Sequence, residues 1–306
     1  MKYLLPIFCV ILASCQLNQE TEKPSEKWLT EYSEHTQRTD PGEYGSLYGD
    51  LPASLDSLCS IIKCQLLHPV EAREMGMVLE EVYIDGQTPT TQDLLEHCCL
   101  RDSFGFQDCR EQEDRIVVAC YHHAMLLASI LRSKGIPVRM RAGFSRYYEK
   151  QFKIRFGHVI CEVWDENANR WIIVDPDRQI VDMDKDGFDF ACQAWENVRK
   201  NKIDLEIYTS SVGVGIKGII NLLALDASLL LREEKQYWNY ANIVLDDIGE
   251  LADLDGDIIE ILDELAHNCS HADQNMDKIS EIYYQHTYLK PSGQDYDTYL
   301  QLVFGE

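Results

Sequence analysis

Apolar residues recur at helical spacing in several stretches of the first half of the chain. From about Ser54, the residues Leu55, Leu58, Ile61, Ile62 and Leu66 share one face and predict a helix. In "TPTTQDLLEHCCL", Thr90 and Asp93 carry the spacing of a capping box, which predicts a second helix start. A third helix begins near Cys120 in "VACYHHAMLLASILRSKGIP", and Lys134, Gly135 and Pro137 mark its end. The period then changes. "PVRMRAGF" alternates Val138, Met140 and Ala142 with Arg139 and Arg141, which predicts a half-buried strand. "HVICEVWD" places Val159, Cys161 and Val163 on one face of another strand, "ENAN" turns the chain, and "RWIIVD" completes a hairpin ending at Asp175. A helix followed by several strands argues for α+β organisation. Beyond about Ile203, runs such as "GIINLLALDASLLL" and "DIIEILDELAHNC" are amphipathic and rich in Leu and Ile, so a mainly helical C-terminal region is expected.

The N-terminus has a different texture. "MKYLLPIFCVILASCQ" begins with Lys2, runs apolar from Tyr3 to Ala13 and ends in small residues, a run too short for a membrane span and suited to a signal peptide. Leu12-Ala13-Ser14-Cys15 resembles the lipobox of bacterial lipoproteins, which implies cleavage before Cys15, a lipid anchor on Cys15, and a cell-envelope location. Gln16 in place of an acidic residue favours the outer membrane; the alternative is a plain signal peptide. The polar stretch that follows predicts a tether. The expected organisation is 1–14 signal peptide, 15–40 flexible tether, 41–202 core and 203–306 helical region.

Composition narrows the partners. The chain has 306 residues, and 52 acidic against 28 basic residues give a net charge of −24, which makes a nucleic acid an improbable partner. Of 11 cysteines, those after Cys15 form an odd set, so pairing of the rest would leave one free thiol. Cys120 is the one expected to stay free, and the pairing itself is not deducible.

Cys120 also stands where thiol chemistry is possible. A helix start offers unsatisfied N–H groups and a positive partial charge, both of which favour a thiolate. A histidine can accept the thiol proton, and an acid can orient that histidine. His158, beginning one hairpin strand, and Asp175, ending the next, are the candidates. Taken singly, each has an ordinary structural explanation: a buried helix thiol, a satisfied strand histidine, a turn acid before Pro176.

Together, "CYHHAMLLASILRSKGIPVRMRAGFS", "HVICEVW" and "RWIIVDP" resemble the three motifs of the transglutaminase-like superfamily, which has a papain-like cysteine-protease fold. The resemblance covers roughly Val118 to Asp177. It implies an α+β core with a nucleophile helix packed on an antiparallel sheet, and a triad of Cys120, His158 and Asp175. The expected activity is acyl transfer or hydrolysis at an amide of a protein or peptide substrate, with no cofactor. A non-catalytic cell-envelope binding module using the same cleft is the competing expectation. One departure stands out: Tyr121, His122 and His123 follow Cys120, where an uncharacterised bacterial subgroup has Arg-Asp-aromatic. That change could alter substrate contacts or a hydrogen bond at the helix start.

Three further patterns are weaker. Gly213-Val-Gly215-Ile-Lys-Gly218 fits a dinucleotide fingerprint in letters but lacks a following strand ending in an acid, so a turn into a helix is expected. Asp182-x-Asp184-x-Asp186-Gly187 begins like a calcium loop, yet its twelfth position falls on Gln193 rather than glutamate. His97, Cys98, Cys99, Cys109, Cys120, His122 and His123 lack zinc-site spacing.

Overall fold

The computed structural model describes residues 23–101, 106, 109–246 and 248–291. Cys15 and the lipobox-like segment lie outside the described residues, and no described helix is long and apolar enough to cross a membrane.

At the centre, the helix Cys120–Ser133 lies against an antiparallel pair of strands, Val138–Ser145 and Arg155–Asp165. The helix is buried along nearly its whole length, as its apolar run from Ala124 to Leu131, broken by Ser129 alone, requires. Gly135 at φ 70° ends it, a left-handed conformation that glycine adopts without steric cost. Among the described residues, the sheet runs Ile180–Val181, Arg170–Asp175, Arg155–Asp165, Val138–Ser145, Phe188–Phe190, and Tyr208–Ser210 joins the start of the long Arg155 strand in parallel. The predicted hairpin is present, with Cys161 opposite Val174 and Glu162 opposite Ile173. These elements form the expected α+β core.

The Val138 strand departs from expectation: it is buried on both faces, not one. Its second face is covered by the helix Ile216–Leu230, and the arginines that looked solvent-facing are paired inside. Arg141 grips Asp226 with two nitrogens at 2.9 Å each, while Arg139 and Arg141 both reach Glu162 at 2.7 Å. Arg139 also bonds Asp273 at 2.7 Å and lies over the Trp171 ring. Buried charges persist only when paired in this way.

The stretch expected to be a flexible tether is folded from Glu26 onward. Glu26–Ser33 is a helix whose Tyr32 is 1% exposed and donates to the Leu230 carbonyl at 2.8 Å. Just beyond it, Thr36 and Arg132 both bond Glu234, and Arg132 also holds Thr39. A polar composition concealed these few anchoring contacts. The C-terminal region supplies helices Gly256–Ser270 and Ala272–Gln285 in addition to Ile216–Leu230.

Two helix expectations elsewhere hold. The helix Leu55–Gln65 follows Ser54, and Thr90 and Asp93 cap one another reciprocally before Thr91–Arg101. The glycine-rich run forms a tight turn into the helix Ile216–Leu230, with positive φ at Gly213 and Gly215. Asp182 is engaged by Arg170 through two nitrogens, and among the described residues no cluster of His, Cys, Asp or Glu is arranged to hold a metal ion.

Candidate active site

Cys120 is the first residue of its helix, and Ala119 caps it in extended conformation. The first N–H groups of a helix have no intrahelical acceptor, and they present a positive partial charge at the sulfur. Asp85 fixes this end of the helix: its Oδ1 accepts the Ala119 N–H at 2.9 Å, and its Oδ2 accepts from the phenols of Tyr83 and Tyr237.

The hairpin delivers the other two residues. The ladder that pairs Cys161 with Val174 leaves Asp175 at a diagonal from His158, within side-chain reach. His158 Nε2 lies 2.7 Å from Asp175 Oδ2, and the same imidazole lies beside the Cys120 thiol, where each raises or lowers the other's pKa. The three residues singled out in the sequence are therefore adjacent. Cys120 and His158 are each 8% exposed, and Asp175 is fully buried, so the thiol lies just beneath the surface.

Asp175 has further partners. Tyr147 donates its hydroxyl to Asp175 Oδ2 at 2.5 Å, and the Arg178 N–H donates to Oδ1 at 3.1 Å. Burial opposes the Asp175 charge, but His158 and the Tyr147 hydroxyl hold its pKa below the ordinary carboxylate value. Burial likewise opposes an imidazolium at His158, and the charges of Asp175 and Cys120 overcome it, raising its pKa well above the ordinary histidine value.

No periodicity or motif in the sequence pointed to a second imidazole near the sulfur. His68 lies next to the Cys120 thiol, close enough for each to shift the other's pKa. It arrives through a short parallel pairing: Leu66–Leu67 runs beside Ile116–Val117, with Leu67 opposite Val117, and Val118 N–H donates to the Leu67 carbonyl at 3.0 Å. His68 follows one strand end and Cys120 lies just beyond the other. The local signal was a helix start, since Pro69 opens Pro69–Glu74 and Glu71 reaches back to the His68 N–H at 3.4 Å. Behind His68, Asp177 bonds Lys63 Nζ at 2.9 Å and lies 3.6 Å from His123 Nε2.

The thiols differ sharply. Burial works against a thiolate at Cys120, yet the charges and hydrogen bonds of His158 and His68 bring its pKa down to about 7. Burial pushes Cys59, Cys98 and Cys192 up to about 12, and Cys161 and Cys269 well above the free-thiol range; Cys99 is also raised. Cys64 and Cys109 form a disulfide, a pairing the sequence had left open.

Tyr121, His122 and His123 all point into the core. Tyr121 donates to the Glu234 carbonyl at 2.6 Å, His122 Nε2 lies 3.0 Å from the Thr88 carbonyl, and His123 Nδ1 lies 3.1 Å from the Ala119 carbonyl. The departure from Arg-Asp-aromatic therefore changes packing beneath the site rather than a surface a substrate would touch. A cleft of about 580 Å³ lies at the opposite end of the Cys120 helix, lined by Leu131, Gly135, Pro137 and Trp164, away from the reactive side chains.

Residues 117–176 match the profile of the transglutaminase-like superfamily. No curated protein and no solved structure matches the chain. The matched stretch runs from the strand end before Cys120 to the residue after Asp175, so this α+β chain carries a transglutaminase-like core of papain-like fold type.

Proposed function

We propose that the chain is a cysteine-dependent enzyme acting on amide bonds of a protein or peptide, by acyl transfer or hydrolysis. Cys120 is the nucleophile, His158 its proton partner and Asp175 the residue that orients His158. The observation that carries this reading is geometric: Cys120 opens a buried helix beside His158, whose Nε2 lies 2.7 Å from Asp175 Oδ2, and Cys120 is the one described free cysteine whose pKa is pulled down. In the reaction, Cys120 Sγ bonds to the carbonyl carbon and the carbonyl π pair moves to oxygen. Collapse then expels the amine, which takes the proton held by His158. Water or an amine resolves the acyl-cysteine.

The test is the alkylation rate of Cys120 against pH, followed by peptide mapping, in the native chain and in His158→Ala. Fast labelling well below pH 8, slowed by His158→Ala, supports an ion-paired nucleophile. Labelling that rises only near the free-thiol pKa of about 8.5 sinks it and favours a binding module.

We also propose that the chain is a lipid-anchored protein of the bacterial cell envelope, on the strength of the lipobox-like Leu12-Ala13-Ser14-Cys15. Detergent-phase partitioning that persists in Cys15→Ser would overturn the anchor.

A further inference from the structure

Two imidazoles flank one sulfur, and their outer partners give them opposite roles. The outer nitrogen of His158, Nε2, faces the Asp175 carboxylate at 2.7 Å. A carboxylate only accepts, so Nε2 carries the proton and Nδ1 turns its lone pair toward Cys120. The outer nitrogen of His68 is Nδ1, and it accepts the Val70 N–H at 3.2 Å. A nitrogen that accepts carries the lone pair, so the neutral His68 ring keeps its proton on Nε2, the nitrogen left for the sulfur; Asp177 and Cys120 raise the His68 pKa against burial, and Nε2 holds its proton in the charged ring as well. His158 is thus built as a proton acceptor and His68 as a proton donor.

The geometry points to His68 as the side-chain donor of the oxyanion hole, acting with the Cys120 backbone N–H. This rests on the acyl-transfer reading. Before attack, His68 Nε2–H bonds the thiolate. As the S–C bond forms and the carbonyl π pair moves to oxygen, the charge leaves sulfur for an atom one bond away from the new S–C bond, and the same N–H can follow it. The pair returns when the leaving group departs, and His68 keeps its proton throughout. Preorganisation is what makes such a donor effective, and His68 is held on several sides. Strand pairing fixes Leu67 against Val117, Pro69 limits the backbone, and Val70 and Glu71 bond the histidine itself. The charged and titratable groups around its ring are Asp177, Cys120 and His158.

The experiment compares two reactions of Cys120 in the full chain. Acylation by p-nitrophenyl acetate passes through an oxyanion; alkylation by iodoacetamide attacks a saturated carbon and does not. Both are mapped to Cys120, with Cys120→Ala as the blank. His68→Ala should lower acylation by about 100-fold or more beyond any change in alkylation. His68→Gln, which retains an N–H donor, should recover most of that loss, and His68→Glu, of the same size without a donor, should not. The Gln and Glu pair keeps the test decisive if His68→Ala misfolds. Equal losses in acylation and alkylation would reduce His68 to a tuner of the thiolate or a holder of its loop and overturn the assignment; so would unchanged acylation. Failure of the acyl-transfer reading is seen separately, as alkylation indifferent to His158→Ala.

Discussion

The Tyr147 hydroxyl and the His158 imidazole converge on one oxygen of Asp175, at 2.5 and 2.7 Å. Burial and the nearby Asp175 charge push the Tyr147 pKa far up, so the phenol stays a donor at every ordinary pH. Tyr147 also meets the His158 ring edge-on, with centroids 5.9 Å apart. It therefore positions both members of the pair. Tyr147→Phe removes the donor and keeps the ring. We expect a stability loss of about 1–3 kcal/mol in urea unfolding, as for a hydrogen bond to a charged group. Cys120 alkylation should fall far less than in His158→Ala. An alkylation profile as impaired as that of His158→Ala would show that Tyr147 acts directly on the thiol chemistry.

Acid should weaken the fold in two successive windows. Burial, against the pull of Asp177, holds the His123 pKa down at about 4. A histidine with a folded pKa below its unfolded value of about 6.5 binds fewer protons when folded. Its contribution is complete above pH 6.5 and is lost as pH falls toward 4, on the order of 3 kcal/mol in all. Glu162 is opposed by burial but held at about 2 by Arg139 and Arg141. Its contribution is present above its unfolded pKa of about 4.3 and is lost as pH falls through 2. Urea midpoints across pH 3–8 should show the first decline, and His123→Gln should flatten it between pH 6.5 and 4.

Arg141 and Asp226 form a buried bidentate pair, and Asp226 Oδ1 also accepts the Ala142 N–H at 2.9 Å. Asp226→Ala leaves the buried Arg141 guanidinium with Glu162 alone, an acid it shares with Arg139, and orphans an N–H, so a loss of about 3–5 kcal/mol is expected. Arg141→Met combined with Asp226→Leu should recover much of it, with a residue of about 1–3 kcal/mol from the unpaired N–H. A double variant no better than the single would refute this account.

The Cys64–Cys109 bond closes a loop with a sequence separation of 45. Loop entropy alone predicts that Cys64→Ser with Cys109→Ser costs about 4 kcal/mol. Thermal unfolding with and without reductant should reproduce the difference in the native chain and show none in the double variant.

The sequence made the helix at Cys120 and the hairpin from His158 to Asp175 readable because each is written in a local period: apolar positions at helical spacing, alternation in the strands, and a short polar turn between them. Three partners escaped it. His68 meets Cys120 through a pairing only two residues long, too short to leave a period. Asp85 approaches from a 3₁₀ turn, and Tyr147 from the connection between strands. The two-sided burial of Val138–Ser145 was masked because Arg139 and Arg141 look like solvent-facing residues until Glu162, Asp226 and Asp273 are placed beside them. Tyr32 was lost in a polar stretch, since one anchoring side chain does not change a composition.

The cover provided by Ile216–Leu230 has a consequence for inheritance. Residues 117–176 carry the recognisable signature, yet the two buried arginines of their central strand share one acid within that stretch, Glu162, and take their other acids from Asp226 and Asp273, far downstream. The signature is thus not a portable cassette. A graft of that stretch into another scaffold would import two guanidiniums sharing one carboxylate, and recombination that separates them from their distant acids would be selected against. In descendants of this chain, the two halves are expected to change in step, with Arg141 and Asp226 replaced together or not at all.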